Sequence, residues 1–205
     1  MDLGLDQKGK EMKLRKLVVC MLAVTVVAAT TAAAQQMTPE EQEAMMKAMA
    51  PGEHHQHLAR FAGEFEASIK WWLTPGGPAQ ESKGTSESTM ILGGRYLQDV
   101  VKSDFAGMPF EGMGITGYDN ISQQCCFAWV DNMGTGIMTA TGTCSDGGKT
   151  ITFEGKVSMP GVPVPVPFKE VLKWVDGTTH VLEMYMASEK GEMFKTMEAT
   201  YKRVQ

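Results

Sequence analysis

The stretch that decides the fold runs from Glu111 to Asn120 and reads Glu-Gly-Met-Gly-Ile-Thr-Gly-Tyr-Asp-Asn. Its spacing, Gly112-x-Gly114-x-x-Gly117, matches the letters of a dinucleotide-binding fingerprint. That fingerprint requires a helix directly after the glycines, because the helix N-terminus holds the pyrophosphate. Here a turn signal follows instead, and residues 125–131, Cys-Cys-Phe-Ala-Trp-Val-Asp, are rich in strand-forming types. The glycines therefore predict a bent strand that a neighbouring backbone approaches closely, and not a nucleotide site.

The chain beyond residue 63 repeats this strand pattern. Apolar residues alternate with polar ones from Phe65 to Leu73, a period of two. Turn signals of Gly, Pro, Asn and Asp then recur about every ten residues, the spacing of a sandwich or barrel. We predict ten strands, near 65–73, 80–91, 95–104, 110–118, 124–131, 136–144, 149–158, 167–175, 179–187 and 193–203. Because so many twisted strands tend to close and so lose their edges, the predicted fold class is all-β, a closed antiparallel β-barrel of about ten strands preceded by short N-terminal helices.

The first 34 residues are predicted to be an N-terminal extension and a secretory signal peptide. Basic residues from Lys13 to Lys16 precede an apolar run over 17–29, and Ala32-Ala33-Ala34 forms a small-residue cleavage site before Gln35. The apolar run is shorter than the roughly 20 residues that a spanning helix needs. We therefore predict an exported protein, periplasmic or secreted, without stable membrane insertion after cleavage. Residues 35–62 are assigned to a helical N-terminal segment and residues 63–205 to the barrel domain.

Two short helices are predicted in the segment 35–62. Thr38 is placed to cap the first helix, with Pro39 at its first position and Glu41 as the capping-box partner. This helix should end near Met49, and a second should cover 53–61. Met45, Met46 and Met49 lie at helical spacing, so we expect them to form an apolar face packed against the core.

The net charge of the chain narrows the choice of binding partners. The net charge is −5, and loss of residues 1–34 makes it more negative, because that segment holds more basic than acidic residues. A nucleic-acid partner needs a basic face and is therefore not expected.

Cys125 and Cys126 should point to opposite faces of one strand. Counting outward from a turn at 133–136 places Cys125 opposite Cys144, which predicts a disulfide between these two and a free thiol at Cys126.

Several motifs resemble those of the DUF1579 family of exported bacterial proteins of unknown function. They are Ala50-Pro51-Gly52-Glu53-His54, Met90-Ile91-Leu92-Gly93-Gly94-Arg95-Tyr96-Leu97, Gly107-Met108-Pro109-Phe110-Glu111-Gly112, Gly114-Ile115-Thr116-Gly117-Tyr118-Asp119-Asn120 and Met133-Gly134-Thr135-Gly136. The resemblance covers about residues 38–203. It implies a lipocalin-like barrel and no established activity, so it supplies no functional residue.

The two ends of the barrel sequence also resemble the lipocalin and fatty-acid-binding (calycin) plan. In that plan an aromatic residue opens the first strand and a late basic residue covers it. Gly63-Glu64-Phe65 and Tyr201-Lys202-Arg203 occupy the corresponding positions, with Phe65 in place of the usual tryptophan.

The interior of such a barrel is the predicted site. A barrel of ten strands is wide enough to leave a cavity, and polar and aromatic residues share the same strands here. We predict a small hydrophobic or amphipathic ligand, with Arg95 available to hold a carboxylate in a bidentate pair. The predicted lining residues are Trp71, Arg95, Tyr96, Trp129, Met138 and Trp174. The alternative is a packed barrel whose buried charges pair with one another, with Arg95 paired to Asp99 or Glu111. Glu170 and Glu183 lie on adjacent predicted strands, where Lys169 and Lys173 could neutralise them, so they do not indicate a catalytic pair.

Two other functions stay open, and no cofactor is predicted. His54, His55 and His57, close to a methionine-rich helix, suit a copper site in an oxidising compartment. His180 is the remaining histidine and the one candidate for haem ligation, although its position after Asp176-Gly177 predicts a solvated turn. The third hypothesis is a catalytic barrel acting on a small exported substrate. No catalytic residue is predicted, because no Gly-x-Ser-x-Gly elbow or other nucleophile paired with a base is recognisable.

Overall fold

The computed structural model describes residues 37–204, and the predicted signal peptide lies outside the described residues. Helix α1 spans Pro39–Met49, helix α2 spans Glu53–Leu58, and a 3-10 turn follows at Ala59–Phe61. The strands are β1 Gly63–Trp71, β2 Gln80–Ile91, β3 Tyr96–Phe105, β4 Met108–Asp119, β5 Gln124–Asp131, β6 Met138–Ser145, β7 Thr150–Val157, β8 Val166–Trp174, β9 Thr179–Ala187 and β10 Met193–Arg203. Within residues 37–204, no helix is both long and apolar enough to cross a bilayer.

The ten strands form one closed antiparallel barrel, as the sequence predicts. Each strand pairs with the strands before and after it in the chain, and β1 pairs with β10 to complete the circle. The pairing of β1 with β10, here called the seam, extends from Phe65 opposite Arg203 to Trp71 opposite Met197. Closure satisfies the backbone hydrogen-bonding groups that an open sheet would leave at its two edges.

The chain divides into two compact units, the first ending at Lys47 and the second beginning at Ala48. In the first, helix α1 begins as predicted, because the backbone N–H of Glu41 donates to the Thr38 hydroxyl at 3.2 Å and the backbone N–H of Thr38 donates to the Glu41 carboxylate at 2.8 Å. The predicted packing of the α1 methionines against the core is wrong. Met45, Met46 and Met49 are all exposed, Met46 to 71%. Their helical spacing is real, but no residue of this helix is buried.

The predicted disulfide between Cys125 and Cys144 is present, and Cys126 is a free cysteine. The register behind the prediction needs a correction of two residues. The loop between β5 and β6 is centred one residue earlier than predicted, so Trp129 is opposite Met138 and Cys125 is opposite Gly142. Cys144 is therefore a diagonal neighbour of Cys125, and their Cα atoms are 6.5 Å apart. Diagonal pairs on one face of a sheet are still close enough for a disulfide bridge.

The outer face of the barrel carries the paired charges. Glu183 on β9 accepts hydrogen bonds from Lys173 at 2.7 Å and from Lys195 at 2.5 Å. These two bonds hold the pKa of the Glu183 carboxyl down at about 2. Pairing of Glu183 with Lys173 agrees with the prediction, whereas Glu170 has the opposite orientation and points into the barrel.

Candidate functional site

One end of the barrel, here called the closed end, is covered by helix α2 and the 3-10 turn. Leu58 and Phe61 from this cover are each 1% exposed and join the core cluster inside the barrel. The Phe61 ring packs edge-on against Trp174 and His180, with both centroid distances 5.4 Å. Aromatic rings at this spacing add favourable edge-to-face contacts to the burial of their surface. The closed end is thus a densely packed plug.

Arg203 fixes this plug to the last strand. Its guanidinium donates to the carbonyl oxygen of Ala62 at 2.8 Å and to that of Arg60 at 2.9 Å. The same guanidinium lies over the Phe65 ring, 4.7 Å from its centroid. The late basic residue therefore covers the aromatic of the first strand, as the calycin resemblance implies.

The opposite end, here called the open end, is where β1 finishes at Trp71 and β5 finishes at Asp131. Trp71 stacks on Phe105 there, with ring centroids 4.4 Å apart. Most inward-facing side chains near this end are only half-buried. They are Phe110, Trp129, Met138, Val157, Val166, Met184, Met186, Phe194 and Met197. Five of them pack against the core cluster, but all nine keep some contact with solvent. The solvent-accessible interior at this end is here called the depression.

The glycines of β4 shape one wall of this depression. Gly112 and Gly114 face inward, and the indole of Trp129 on β5 lies directly against them. A Cβ atom at either position would press into that ring. The Trp129 Nε1–H donates to Asp131 at 2.9 Å, which fixes the indole across the two glycines. The group that approaches these two glycines closely is a side chain, and not the backbone that the sequence predicts.

Two carboxyl groups face each other across the middle of the barrel. Asp99 on β3 accepts hydrogen bonds from Ser86 at 2.5 Å and Ser88 at 2.7 Å. Glu170 on β8 is only 5% exposed and has no hydrogen bond or ion pair with any residue from 37 to 204.

Burial sets the protonation of these groups. It raises the pKa of Glu170 to about 8, and the nearby Asp99 carboxylate contributes to that shift. Burial also raises the pKa of Asp99, while the two serine hydroxyls act in the opposite direction. The phenol of Tyr201, on β10, has its pKa raised by burial and by the same two carboxyls. The three side chains therefore form one polar layer between the plug and the open end.

The structure places the predicted ligand-binding residues in three different environments. Trp71, Trp129 and Met138 line the open half of the barrel. Trp174 also faces inward but belongs to the plug, next to Phe61. Tyr96 is on the outer face, 40% exposed, where its ring covers Gly117.

The prediction for Arg95 needs a similar correction. The turn Leu92-Gly93-Gly94 has positive φ at all three residues and delivers Arg95 to the closed end. There it donates to the carbonyl oxygens of Leu92 and Met49, at 3.2 and 3.0 Å. Arg95 is a rim residue as expected, but it is on the rim that α2 covers, so its guanidinium does not face the depression.

The histidines proposed as metal ligands have separate contacts. His54 stacks on Tyr118 with ring centroids 3.9 Å apart, His55 accepts a hydrogen bond from the backbone of Gly52 at 3.0 Å, and His57 contacts Glu53 at 3.5 Å. Between residues 37 and 204, no group of three or more His, Cys, Asp or Glu side chains is arranged to hold a metal ion.

The expected solvated position of His180 is wrong. It lies within β9, 5% exposed, and its ring stacks on Tyr201 with centroids 4.6 Å apart. Burial lowers its pKa to about 3, so the ring is neutral. The turn signal at Asp176-Gly177 is present, but β9 begins at Thr179 as predicted, so His180 is a strand residue and its side chain points inward.

The polar layer is the part of the site that sequence reasoning did not find. The sequence predicts that polar and aromatic residues share strands, but that prediction does not assign Asp99, Glu170 or Tyr201 to the inner or the outer face. The missing signal was the alternation within each strand. Val101 and Leu97 flank Asp99 at two residues' distance, and Phe168 and Leu172 flank Glu170 in the same way. Both carboxyls therefore share a face with apolar residues.

These features define the class: a meandering, closed ten-stranded barrel with one end plugged by a short helix and an accessible depression at the other. The particular family follows from the sequence. Residues 50–203 match the model of DUF1579, described as "Protein of unknown function", and the chain belongs to this family.

Comparison with solved structures supports the fold. The chain is similar to the crystal structure of Rv2717c from M. tuberculosis, with a TM-score of 0.56, 14% sequence identity, and coverage of 76% of this chain and 100% of that one. It also matches a redesigned β-barrel at a TM-score of 0.39 and 13% identity, over 73% of this chain and 96% of that one. No curated protein shows a significant match.

Proposed function

We propose that this protein is an exported binding protein that holds a small hydrophobic or amphipathic molecule in the open half of its barrel. The observation that carries this proposal is the difference between the two ends. Leu58 and Phe61, which cover the closed end, are fully buried, whereas most inward-facing side chains at the open end, with the exception of Trp71, are half-buried. A concave, solvent-accessible apolar surface is the usual form of a small-molecule site.

The chemistry of the lining supports an amphipathic ligand. Methionine and tryptophan side chains form most of the wall at the open end, and methionine adapts its shape to varied apolar partners. The polar layer with Asp99 and Glu170 lies at the floor of the depression. A ligand with an apolar body and one polar group would cover the wall and contact the floor. This proposal assigns no catalytic residue, and no observation on the described residues favours the copper or haem alternative.

Tryptophan fluorescence provides the test of binding. Titration of the purified protein with ten-carbon amphiphiles is expected to change the emission, because Trp71 and Trp129 line the depression. In a Trp129→Phe variant most of this change should disappear. The matched control is Trp174→Phe, which removes a tryptophan from the plug and should leave the response largely intact. If a folded protein gives no response to a neutral, an anionic or a cationic amphiphile, the binding proposal is wrong.

Export is the second part of the proposal. The signal pattern over residues 13–34 and the Cys125–Cys144 disulfide both support it, since disulfides persist in oxidising compartments. We expect the exported protein to begin at Gln35. N-terminal sequencing of protein recovered from outside the cytoplasm would check this expectation, and a sequence that begins before residue 30 would contradict it.

A further inference from the structure

We propose that the ligand carries a positive charge, as an amine or quaternary ammonium group on an apolar chain, and that Asp99 and Glu170 recognise this group. This inference rests on the proposed function, because it names the chemical class that the same depression would hold. It replaces the carboxylate ligand predicted from the sequence, for which Arg95 was to be the partner.

Glu170 supplies the first argument. Its side chain points inward from β8 between Phe168 and Leu172, and it is 5% exposed. Across residues 37–204 it has neither a hydrogen-bond donor nor a cation as partner. Burying a carboxyl group without a partner is costly, so buried polar groups in native proteins are nearly always satisfied. A ligand cation in the depression would supply the missing partner.

Asp99 supplies the second argument. β3 and β8 are five strands apart in either direction around the ten-stranded barrel, so Asp99 and Glu170 lie on opposite walls. The Asp99 charge is near enough to contribute to the raised pKa of Glu170. The hydroxyls of Ser86 and Ser88 both donate to Oδ1 of Asp99. The other oxygen, Oδ2, accepts no hydrogen bond from the described residues. The serines hold the carboxylate in place and leave one oxygen for a further donor.

The charge of the interior selects the sign of the ligand. On the described strands, the one basic side chain that faces inward is Arg203, and it is engaged at the closed end with the carbonyl oxygens of Ala62 and Arg60. His180 is neutral in its aromatic surroundings. An anionic head group on the floor would therefore meet two carboxyls and no free cation. A cationic head group would pair with both carboxyls and favour their ionised forms, which burial alone disfavours.

Strand pairing connects both carboxyls to the open end. From Glu170, the paired positions lead through Met184 and Met197 to Trp71. From Asp99, they lead through Gly114 to Trp129 and Met138. A chain that enters between these walls can place its head group at the carboxyls. Aromatic faces along the route also attract cations, most strongly when the site is partly desolvated.

Calorimetric titration with three probes of equal chain length provides the test. Decyltrimethylammonium, decanol and decanoate share the apolar chain and differ in the charge of the head group. We expect the cation to bind about tenfold more tightly than the alcohol, which corresponds to one close ion pair in a partly desolvated site, and the anion to bind most weakly. Equal affinity for all three would overturn this inference and leave the binding function standing. Failure of all three to bind would overturn both.

Two isosteric variants locate the charge preference. Asp99→Asn and Glu170→Gln should each remove most of the difference between the cation and the alcohol, while the affinity for the alcohol changes little. Both replacements keep the side-chain volume, and urea unfolding confirms that the variants are folded. The control is Glu66→Gln, which removes a carboxylate from the exposed outer face of β1 and should keep the full cation preference. A cation preference that survives in both inward-facing variants would overturn the assignment.

Discussion

Replacing Phe61 with alanine is expected to lower the free energy of unfolding by about 4 kcal/mol, the usual cost of deleting a fully buried phenylalanine side chain. Phe61 is 1% exposed and fills the centre of the plug, in edge-on contact with Trp174 and His180. Equilibrium urea unfolding, followed by circular dichroism, measures the effect.

The control for this prediction is Ile121→Ala. Ile121 lies in the turn between β4 and β5 and is 82% exposed, so its loss should change the stability by less than about 0.5 kcal/mol. If the two variants unfold at the same urea concentration, Phe61 is not part of a packed plug and the description of the closed end is wrong.

Removing the disulfide should have the second-largest effect. The double variant Cys125→Ala with Cys144→Ala is expected to lose about 3 kcal/mol of unfolding free energy. The two cysteines are 19 residues apart in sequence, and a closed loop of that length restricts the unfolded chain by about this amount. Urea unfolding under oxidising conditions measures the change. Reductant should destabilise the natural protein by a similar amount and leave the double variant unaffected.

Cys126 provides the internal control for the disulfide. It is next to Cys125 in sequence, lies on the opposite face of β5, and is free. Cys126→Ala should therefore keep the stability of the natural protein and its sensitivity to reductant. A destabilisation of this variant that matches the double variant would show that Cys126, and not Cys125, forms the bridge.

The fold was predictable because its signals are local. Alternation in β1 and turn residues at regular intervals gave strand bounds that agree with the structure to within about two residues, and the Thr38–Glu41 capping box gave the start of α1. The prediction for the methionines of α1 is wrong because helical spacing shows that a face is apolar but does not show that another element covers it. The predicted position of Cys144 opposite Cys125 is wrong by two residues, because the register depends on the β5–β6 loop.

The site was predictable only in part because it is made from distant strands. Trp71, Trp129 and Met138 face inward, and each follows from alternation in its own strand. Whether Asp99 and Glu170 meet is decided by closure of the barrel, which brings β3 opposite β8. The prediction places Arg95 at the wrong end of the barrel for a related reason. A rim position is visible in the sequence, but which end of the barrel is plugged depends on where α2 packs.

The pairing of β1 with β10 has a consequence for the order of folding. Every other pair of strands is joined by a short connection, whereas the seam brings together residues as far apart as Ala62 and Arg203, 141 positions along the chain. Contacts at such separation carry the largest loop-closure entropy, so we expect this seam to form after the hairpins. Until then β1 and β10 are open edges at which two molecules could associate. Both strands place charged side chains on their outer face, among them Glu64, Glu66, Lys70, Glu198 and Lys202, which would limit association before closure.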